Sequence, residues 1–595
     1  MKKIVTILLL ITTFTVISSC KKALDAPTQS SLDESVIFST PSLAQGAIAG
    51  ILQSFGETNS YRGRYILYYG SNTDAEASVA LRSINDKSRM GNYDNYPKNT
   101  EMNIDNPLWA KMYEGIERAN LAIRGLRTYG SVETNPDLAQ MLGEVLTLRA
   151  VLFADLIKGW GDVPARFEPV TSETTYLPRT DRDVIYKQLL ADLDEAAGLL
   201  PWPNETPVTS SVEHVNKAFA KGLRARIALA AGGYAQRLDG TVRKSTDPDL
   251  ASDKMYAIAK QECLDVIKSE KLHLFTGATG FETIFKTLHL ETNRAGLESM
   301  WEIPFSAGRG RVIFNLGVKH TTTDKYTTQA QGGTVGPTPI MLYEYEKEDV
   351  RRDVTVVPYE WTNGMQVPSG LNKLYFGKYR YEWLKRDPIS TSADDGLNWM
   401  YMRYADVILM AAEAINEIDG PNAAAPYLKM IRDRAYPNNP EKVTAYMATV
   451  TASPGAFFTA IVNERALEFT GEMLRKADLI RWNKLKEKID EAKAKLIQLQ
   501  DRTGKYADLP TKVYYKNDGE AVQIYGLNFG DTDAIGASLA GYTPTSSWNV
   551  SPSTDAVRYW DALAVKDPNT QQVWPIFQNI IDSSNGMLDN KFLGL

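Results

Sequence analysis

The stretch that decides the fold is PLWAKMYEGIERANLAIRGLRTY, residues 107–129. Its apolar positions Leu108, Met112, Ile116, Ala119, Ile123 and Leu126 recur at intervals of three and four, the period of one helix face. Reading on toward the C-terminus, a second helix is expected from Leu138 to Lys158, with Val145, Leu148, Leu152 and Leu156 on one side and Val151 and Phe153 widening it. Gly159-Trp160-Gly161-Asp162-Val163-Pro164 leaves no helical option and ends it. A third helix starts at Thr180, which with Asp183 makes an approximate capping box, and carries Ile185, Leu189, Leu193, Ala196 and Leu200 up to the Pro201 stop. In the fourth, Ala218, Gly222, Ala225 and Ala228 form a small-residue stripe that permits close helix crossing. The fifth presents Tyr256, Ala259, Cys263, Val266 and Ile267 as its buried face. One helix per roughly 30–45 residues suits stacked helical hairpins of the tetratricopeptide type, although no strict repeat of about 34 residues is present. The fold class expected is mostly α, with helical hairpins supporting loop-rich regions and a few short strands.

Between about 270 and 400 the period changes. Short apolar runs such as Ser299–Phe305 and Leu374–Tyr381 are separated by Gly, Thr and Pro clusters, and Thr321 to Pro339 reads as a long mobile loop. Helices are expected again at 404–418, 421–435, 456–470 and 473–487, followed after about 500 by long loops rich in Tyr, Trp, Gly and Ser.

Composition narrows the function. Charged residues at 23% and hydrophobic ones at 43% describe a folded, water-soluble body. A balance of 66 basic against 72 acidic residues provides no global field for nucleic acid. The two cysteines, Cys20 and Cys263, are too few for a disulfide framework or a thiolate zinc site. Cys20 closes a leader: Lys2 and Lys3, an apolar run from Ile4 to Ile17, then Ser18-Ser19. Ile17-Ser18-Ser19-Cys20 has the form of a bacterial lipobox, whose cysteine is acylated. The expected organisation is a signal peptide at 1–19, a lipidated cysteine and polar tether at 20–45, an N-terminal half at 46–270 and a C-terminal half at 271–595. Several acyl chains at about 0.8 kcal/mol per buried methylene anchor such a chain in a membrane without any protein span.

No catalytic constellation or metal site is legible. His214, His273, His289 and His320 are too dispersed for a helix-face metal pair, and nucleophile-elbow, P-loop and dinucleotide fingerprints are absent. Asp394-Asp395-Gly396 reads as a turn rather than a calcium loop. No cofactor is implied. The aromatic inventory is what stands out: 30 Tyr and 11 Trp against 18 Phe, mostly rings with a polar handle. Tyr61, Tyr65, Tyr68, Tyr69, Tyr93 and Tyr96 are interleaved with Asn72, Asp74, Arg82 and Asn85, the mixture of flat faces and hydrogen-bonding groups that a sugar requires. Tyr65, Tyr68 and Tyr69 have the spacing of helix-packing residues. Ligand contacts are therefore expected first at Tyr93, Tyr96, Arg82 and Asn85, with Asn72 and Asp74 beside them, and then at Tyr381 and Trp383, next to the polar loop 385–398.

The sequence resembles the SusD/RagB family of surface lipoproteins. The matching residues are the lipobox with Cys20-Lys21-Lys22, Trp109…Tyr113…Ile116…Ala119-Asn120, Leu148-Arg149-Ala150 leading to Trp160-Gly161-Asp162-Val163-Pro164, and Trp574-Pro575-Ile576. The most specific are Arg403-Tyr404-Ala405-Asp406-Val407-Ile408-Leu409 with Ala412-Glu413-Ala414, Ile431-Arg432-Asp433-Arg434-Ala435, and Asn463-Glu464-Arg465 with Glu468-Phe469, Gly471-Glu472, Arg475, Asp478-Leu479 and Arg481-Trp482. The resemblance implies four tetratricopeptide-like hairpins beneath loop-rich binding regions, a cell-surface position at the outer membrane, and a SusC-like TonB-dependent transporter as partner, over which this chain acts as a hinged lid. It implies oligosaccharide cargo without catalysis; peptide cargo, or a lipid-anchored glycoside hydrolase, are the alternatives. The charged motif residues sit on amphipathic helices with alternating sign and are expected to fix helix docking.

Overall fold

Helix starts in this chain are set by local caps. Asn135, Asn216 and Ser453 each accept a hydrogen bond from the backbone N–H three residues on, satisfying a donor that the first helical turn leaves open. The computed structural model describes residues 32–78, 85–385, 393–550 and 560–595. Its principal helices are α1 (Pro41–Gly56), α2 (Leu108–Tyr129), α3 (Pro136–Trp160), α4 (Arg182–Leu199), α5 (Lys217–Ala231), α6 (Ser252–Lys268), α7 (Gly280–His289), α8 (Tyr404–Asp419), α9 (Pro421–Ala435), α10 (Pro440–Val450), α11 (Pro454–Phe469) and α12 (Leu485–Asp501). From α1 to α6 each helix packs on the next, α6 packs on α8, and α8 on α9, so one continuous row joins the two halves of the chain.

Strands are short: β1 (Glu76–Ser78), β2 (Ser299–Ile303), β3 (Val335–Pro337) and β4 (Trp399–Arg403) form two antiparallel pairs, β1 with β3 and β2 with β4. The small-residue stripe of α5 lies against the β2–β4 pair. A Cβ on Gly222 would stand 2.7 Å from Met402 Sδ and 3.2 Å from Met300 Cε. Glycine permits that approach.

The charged motif residues of the sequence are buried in two ion networks where β4 runs into α8. In the first, the Arg403 guanidinium reaches Glu298 (3.0 Å), Glu468 (2.5 Å) and Glu472 (2.7 Å). Arg434 holds Glu298 at 2.6 Å and also contacts Glu468; Arg351 joins Asp349, Glu464 and Glu468; Lys378 bonds Glu472 at 2.6 Å. In the second, Asp406 sits between Arg226 and Arg465, and Asp478 between Arg465 and Arg481, which continues to Glu413. The surrounding arginines hold the Asp406 and Glu468 carboxyls far below the usual carboxylate range against the opposing effect of burial. These charges dock α8, α9 and α11 on one another.

Four expectations differ from the structure. Helix Glu34–Ser39 and the start of α1 fall inside the segment expected to be tether. The cap of α4 is Asp181, not Thr180, which instead bridges to Val163. The expected helix 473–487 is two elements, Arg475–Arg481 and α12, because Asn483 adopts φ +56° and α12 then carries its own buried stripe of Leu485, Ile489, Ala492, Leu496 and Leu499. Thr321 to Pro339 is pinned rather than free: His320 and Gln331 exchange backbone hydrogen bonds of 2.9 and 3.0 Å, and β3 pairs with β1. Cys263 is buried on α6 as expected, while Cys20 lies outside the described residues.

Candidate functional site

The expected ligand residues fall into two places. In the first, Asn72 and Tyr93 are interior: Tyr93 is 4% exposed and its hydroxyl donates to the Asn72 carbonyl at 2.7 Å, while the Asn72 amide donates to Ala562 O at 3.2 Å. The expectation of a half-wet ring at Tyr93 is corrected by this packing; both residues have positive φ, +63°, which buckles the chain inward. Asp74 is held by two Arg475 contacts of 2.8 and 2.6 Å. Asn85 caps the short helix Asp86–Arg89 in a box with Ser88, and Tyr96, partly exposed, donates to Asp86 at 2.7 Å. Arg82 lies outside the described residues. Tyr61 and Tyr68 also spend their hydroxyls on carboxylates, Asp155 at 2.7 Å and Glu101 at 2.5 Å. Much of the tyrosine run is thus packing.

The second place is the end of the run expected to bear Tyr381 and Trp383. Tyr381 is buried against the His320 ring, with centroids 5.3 Å apart. Trp383 stays partly exposed, and its indole packs edge to face on His289 at 5.5 Å, with the Arg380 guanidinium 4.5 Å over the ring. Beside it lies a cavity of about 160 Å³ lined by Glu213, His289, Asn293, Glu302 and Asn398 among others. His289 ends α7. Its Nδ1 bonds the Phe285 carbonyl at 2.7 Å, so Nδ1 carries the hydrogen, and its Nε2 accepts from the Arg380 backbone at 3.0 Å. Burial pushes this imidazole down to about 4, keeping it neutral. That one side chain therefore fixes the backbone at Arg380, just before the 3-10 turn Tyr381–Trp383 that stands where the sequence suggested the end of a strand.

Glu302, on β2, supplies the opposite wall. Its carboxylate accepts from Asn293 (2.6 Å), Ser299 (2.8 Å) and Asn398 (3.1 Å), and Asn398 also donates to Glu213 at 2.9 Å. Burial raises the Glu302 carboxyl. The result is a polar cleft of amides and carboxylates that nears Trp383 through its lining residues His289 and Leu384, while the indole itself carries the Arg380 guanidinium and, at 5.4 Å, the Lys286 ammonium over its ring. Sequence reasoning named Trp383 as a ligand contact and none of Glu213, His289, Asn293, Glu302 and Asn398. These five come from three separate stretches, Glu213, the segment 289–302 and Asn398. Elsewhere, Asp395 accepts backbone N–H groups of Ile313 and Phe314, at 2.8 and 3.1 Å, and Asp394 pairs with Arg62 and Arg311, so both carboxylates serve the protein. Among the described residues no cluster of His, Cys, Asp and Glu is arranged to hold a metal, and no helix is long and apolar enough to cross a membrane.

Two sequence profiles match this chain: that of the SusD family over residues 298–592, and one described as starch-binding associating with outer membrane over residues 24–229. The chain belongs to the SusD/RagB family. A SusD-like protein, P25, from Formosa agariphila is 24% identical over 517 residues, covering 80% of this chain and 89% of that one. A SusD homolog from Bacteroides thetaiotaomicron has the same fold, with a TM-score of 0.73 at 18% identity over 95% of this chain and 99% of its own. Surface glycan-binding protein A of the same organism, solved with laminarihexaose, superposes with a TM-score of 0.59 at 17% identity, over 92% and 98% of the two chains. The SusD motifs map onto the buried ion networks, where their charges meet one another; Arg432, Glu464 and Arg475 also line one cavity, and Arg465, Glu472, Asp478 and Arg481 another.

Proposed function

We propose that this SusD/RagB protein is a non-catalytic surface lipoprotein, anchored in the outer membrane through acylated Cys20, that captures oligosaccharides and delivers them to a SusC-like TonB-dependent transporter. The observation that carries the reading is the polar cleft of His289, Asn293, Glu302 and Asn398, with the partly exposed Trp383 packed on its His289 wall. Family membership and the glycan complex of a protein sharing its fold support the cargo class. Glu302 already accepts three hydrogen bonds from its neighbours, which suits a fixed acceptor better than a carboxylic acid delivering a proton to a leaving group. A small contact of stacking and hydrogen bonds gives dissociation constants of about 1 μM or weaker.

The test is a binding screen of the chain from Lys21 to Leu595 against polysaccharides and peptide pools, repeated with Trp383→Ala. Glycan binding by the wild type and a loss of about tenfold or more in the variant, with an unchanged thermal midpoint, is the expected result. Peptide binding with silence on glycans overturns the cargo class. Glycan binding unaffected by Trp383→Ala overturns the site, and steady release of reducing ends from a bound glycan overturns the non-catalytic role.

A further inference from the structure

A second cavity, of about 350 Å³, lies remote in sequence from Trp383, between the C-terminal end of α9 and helices α11 and α12. Its volume falls within the range of small-molecule sites. Most charges lining it are matched. Asp74 is held by Arg475, Glu344 by Lys495 and Lys505, Glu346 by Lys442, and Glu491 by Lys488. Arg432 is matched in charge but not in all its donors. Its Nη1 donates to Glu464 at 3.1 Å, but Glu464 also serves Arg351 at 2.6 Å, and the Arg432 Nε is buried with no acceptor. The residue is only 4% exposed. Its guanidinium lies 4.0 Å from the Tyr446 ring centroid and 4.5 Å from that of Tyr436, so two aromatic faces fix its plane.

An arginine whose Nη1 is spent keeps the Nε–Nη2 edge, two parallel N–H donors whose spacing matches the two oxygens of a carboxylate. Leaving a buried donor of a charged group unmet is costly, so a two-oxygen acceptor arriving at this edge is favoured by relief of that loss. Around the fork the cavity presents the tyrosine rings and the exposed amide of Asn463, partners for the body of a polyhydroxylated molecule. We propose that this cavity is a second saccharide site, selective for a uronic acid unit whose carboxylate is bound bidentately by Arg432. The inference rests on the reading of the protein as a glycan binder and adds an acidic sugar to its cargo.

The experiment is calorimetric titration of the full-length chain in detergent with glucuronate, galacturonate, glucose and acetate, then of Arg432→Lys, which keeps the charge and loses the fork. The expected result is uronate binding on the order of 1 mM, as befits a ligand of that size. Glucose and acetate should bind at least about fivefold more weakly, and Arg432→Lys should lose about fivefold or more of uronate affinity. Should Arg432→Lys not fold, Tyr446→Leu and Asn463→Ala, at partly exposed and exposed positions, are read instead and should each weaken uronate binding. Uronate binding no tighter than glucose overturns the site, binding equal to acetate overturns the sugar class, and unchanged affinity in the variants overturns the assigned residues. Trp383→Ala separates the two readings. Uronate binding that survives it while neutral glycans are lost supports both sites. Neutral glycan binding without any uronate binding removes only this inference, and uronate binding without any oligosaccharide binding removes only the capture role at Trp383.

Discussion

Replacing Arg403 with methionine should be among the most damaging single changes in this protein. The side chain is 1% exposed and donates five hydrogen bonds: two to Glu472 (2.7 and 2.9 Å), one to Glu298 (3.0 Å), one to the Glu468 carboxylate (2.5 Å) and one to the Glu468 carbonyl (2.9 Å). Around it the network balances Arg351, Lys378, Arg403, Arg432 and Arg434 against Glu298, Asp349, Glu464, Glu468 and Glu472. Methionine fills a similar volume but leaves one buried carboxylate charge without compensation, which costs about 3–5 kcal/mol. With a urea dependence of about 3 kcal/mol per M or more for a chain this long, the midpoint falls by about 1 M. The loss depends on pH in a defined sense. In the wild type the Glu468 pKa is depressed, so its stabilisation is present above the unfolded carboxylate pKa and is lost as pH falls toward the folded value. In the variant one of the stranded carboxylates is pushed upward instead and takes a proton on mild acidification. The difference between variant and wild type should therefore be larger at pH 8 than at pH 5. Chemical denaturation at both pH values, followed by far-UV circular dichroism, measures it. A shift below about 0.3 M, or a difference that does not change with pH, refutes the argument, because it means the network is not an electrostatically closed unit. Lys429→Met, at an exposed i,i+4 pair with Asp433, is the control and should change stability by less than about 0.5 kcal/mol.

Three further outcomes follow from the same structure. Burial pushes Glu76 up to about 7, and one of its oxygens has no partner, so the native state holds its proton above the unfolded pKa and stability drains away as pH rises between roughly 4 and 7; Glu76→Gln should gain stability relative to wild type between pH 5 and pH 8, and a constant difference in urea midpoint would count against it. Gly222→Ala forces a methyl against Met402 and Met300 and should cost about 1–3 kcal/mol, at the low end if the flexible methionines yield, read from the same denaturation curves. Cys263 is fully buried and its thiol is pushed well up by burial, so a soluble thiol reagent should leave the native protein untouched and label it once urea has unfolded the chain; rapid labelling of the native state would place α6 at a solvent-open surface.

What the sequence determined by itself was the helical frame. The three-and-four spacing of Leu108 to Leu126, the breakers at Gly159 to Pro164, the stop at Pro201 and the small stripe on α5 are local signals, readable because each depends on residues within a few turns of one another. The alternating charges on α8, α9 and α11 were legible as docking residues for the same reason, although which arginine meets which glutamate was not. The tertiary structure decided the sites. Tyr93 is placed inside because its backbone and that of Asn72 adopt left-handed conformations that fold the chain back over the ring, which spacing does not reveal. The cleft beside Trp383 joins the end of α7, β2 and the segment leading into β4, and the Arg432 cavity joins the ends of α9 with α11 and α12. Such surfaces arise only when distant segments converge. Local periodicity carries the energy of a helix face, whereas a binding cleft is defined by which polar groups remain unspent after the core and its ion networks have taken theirs.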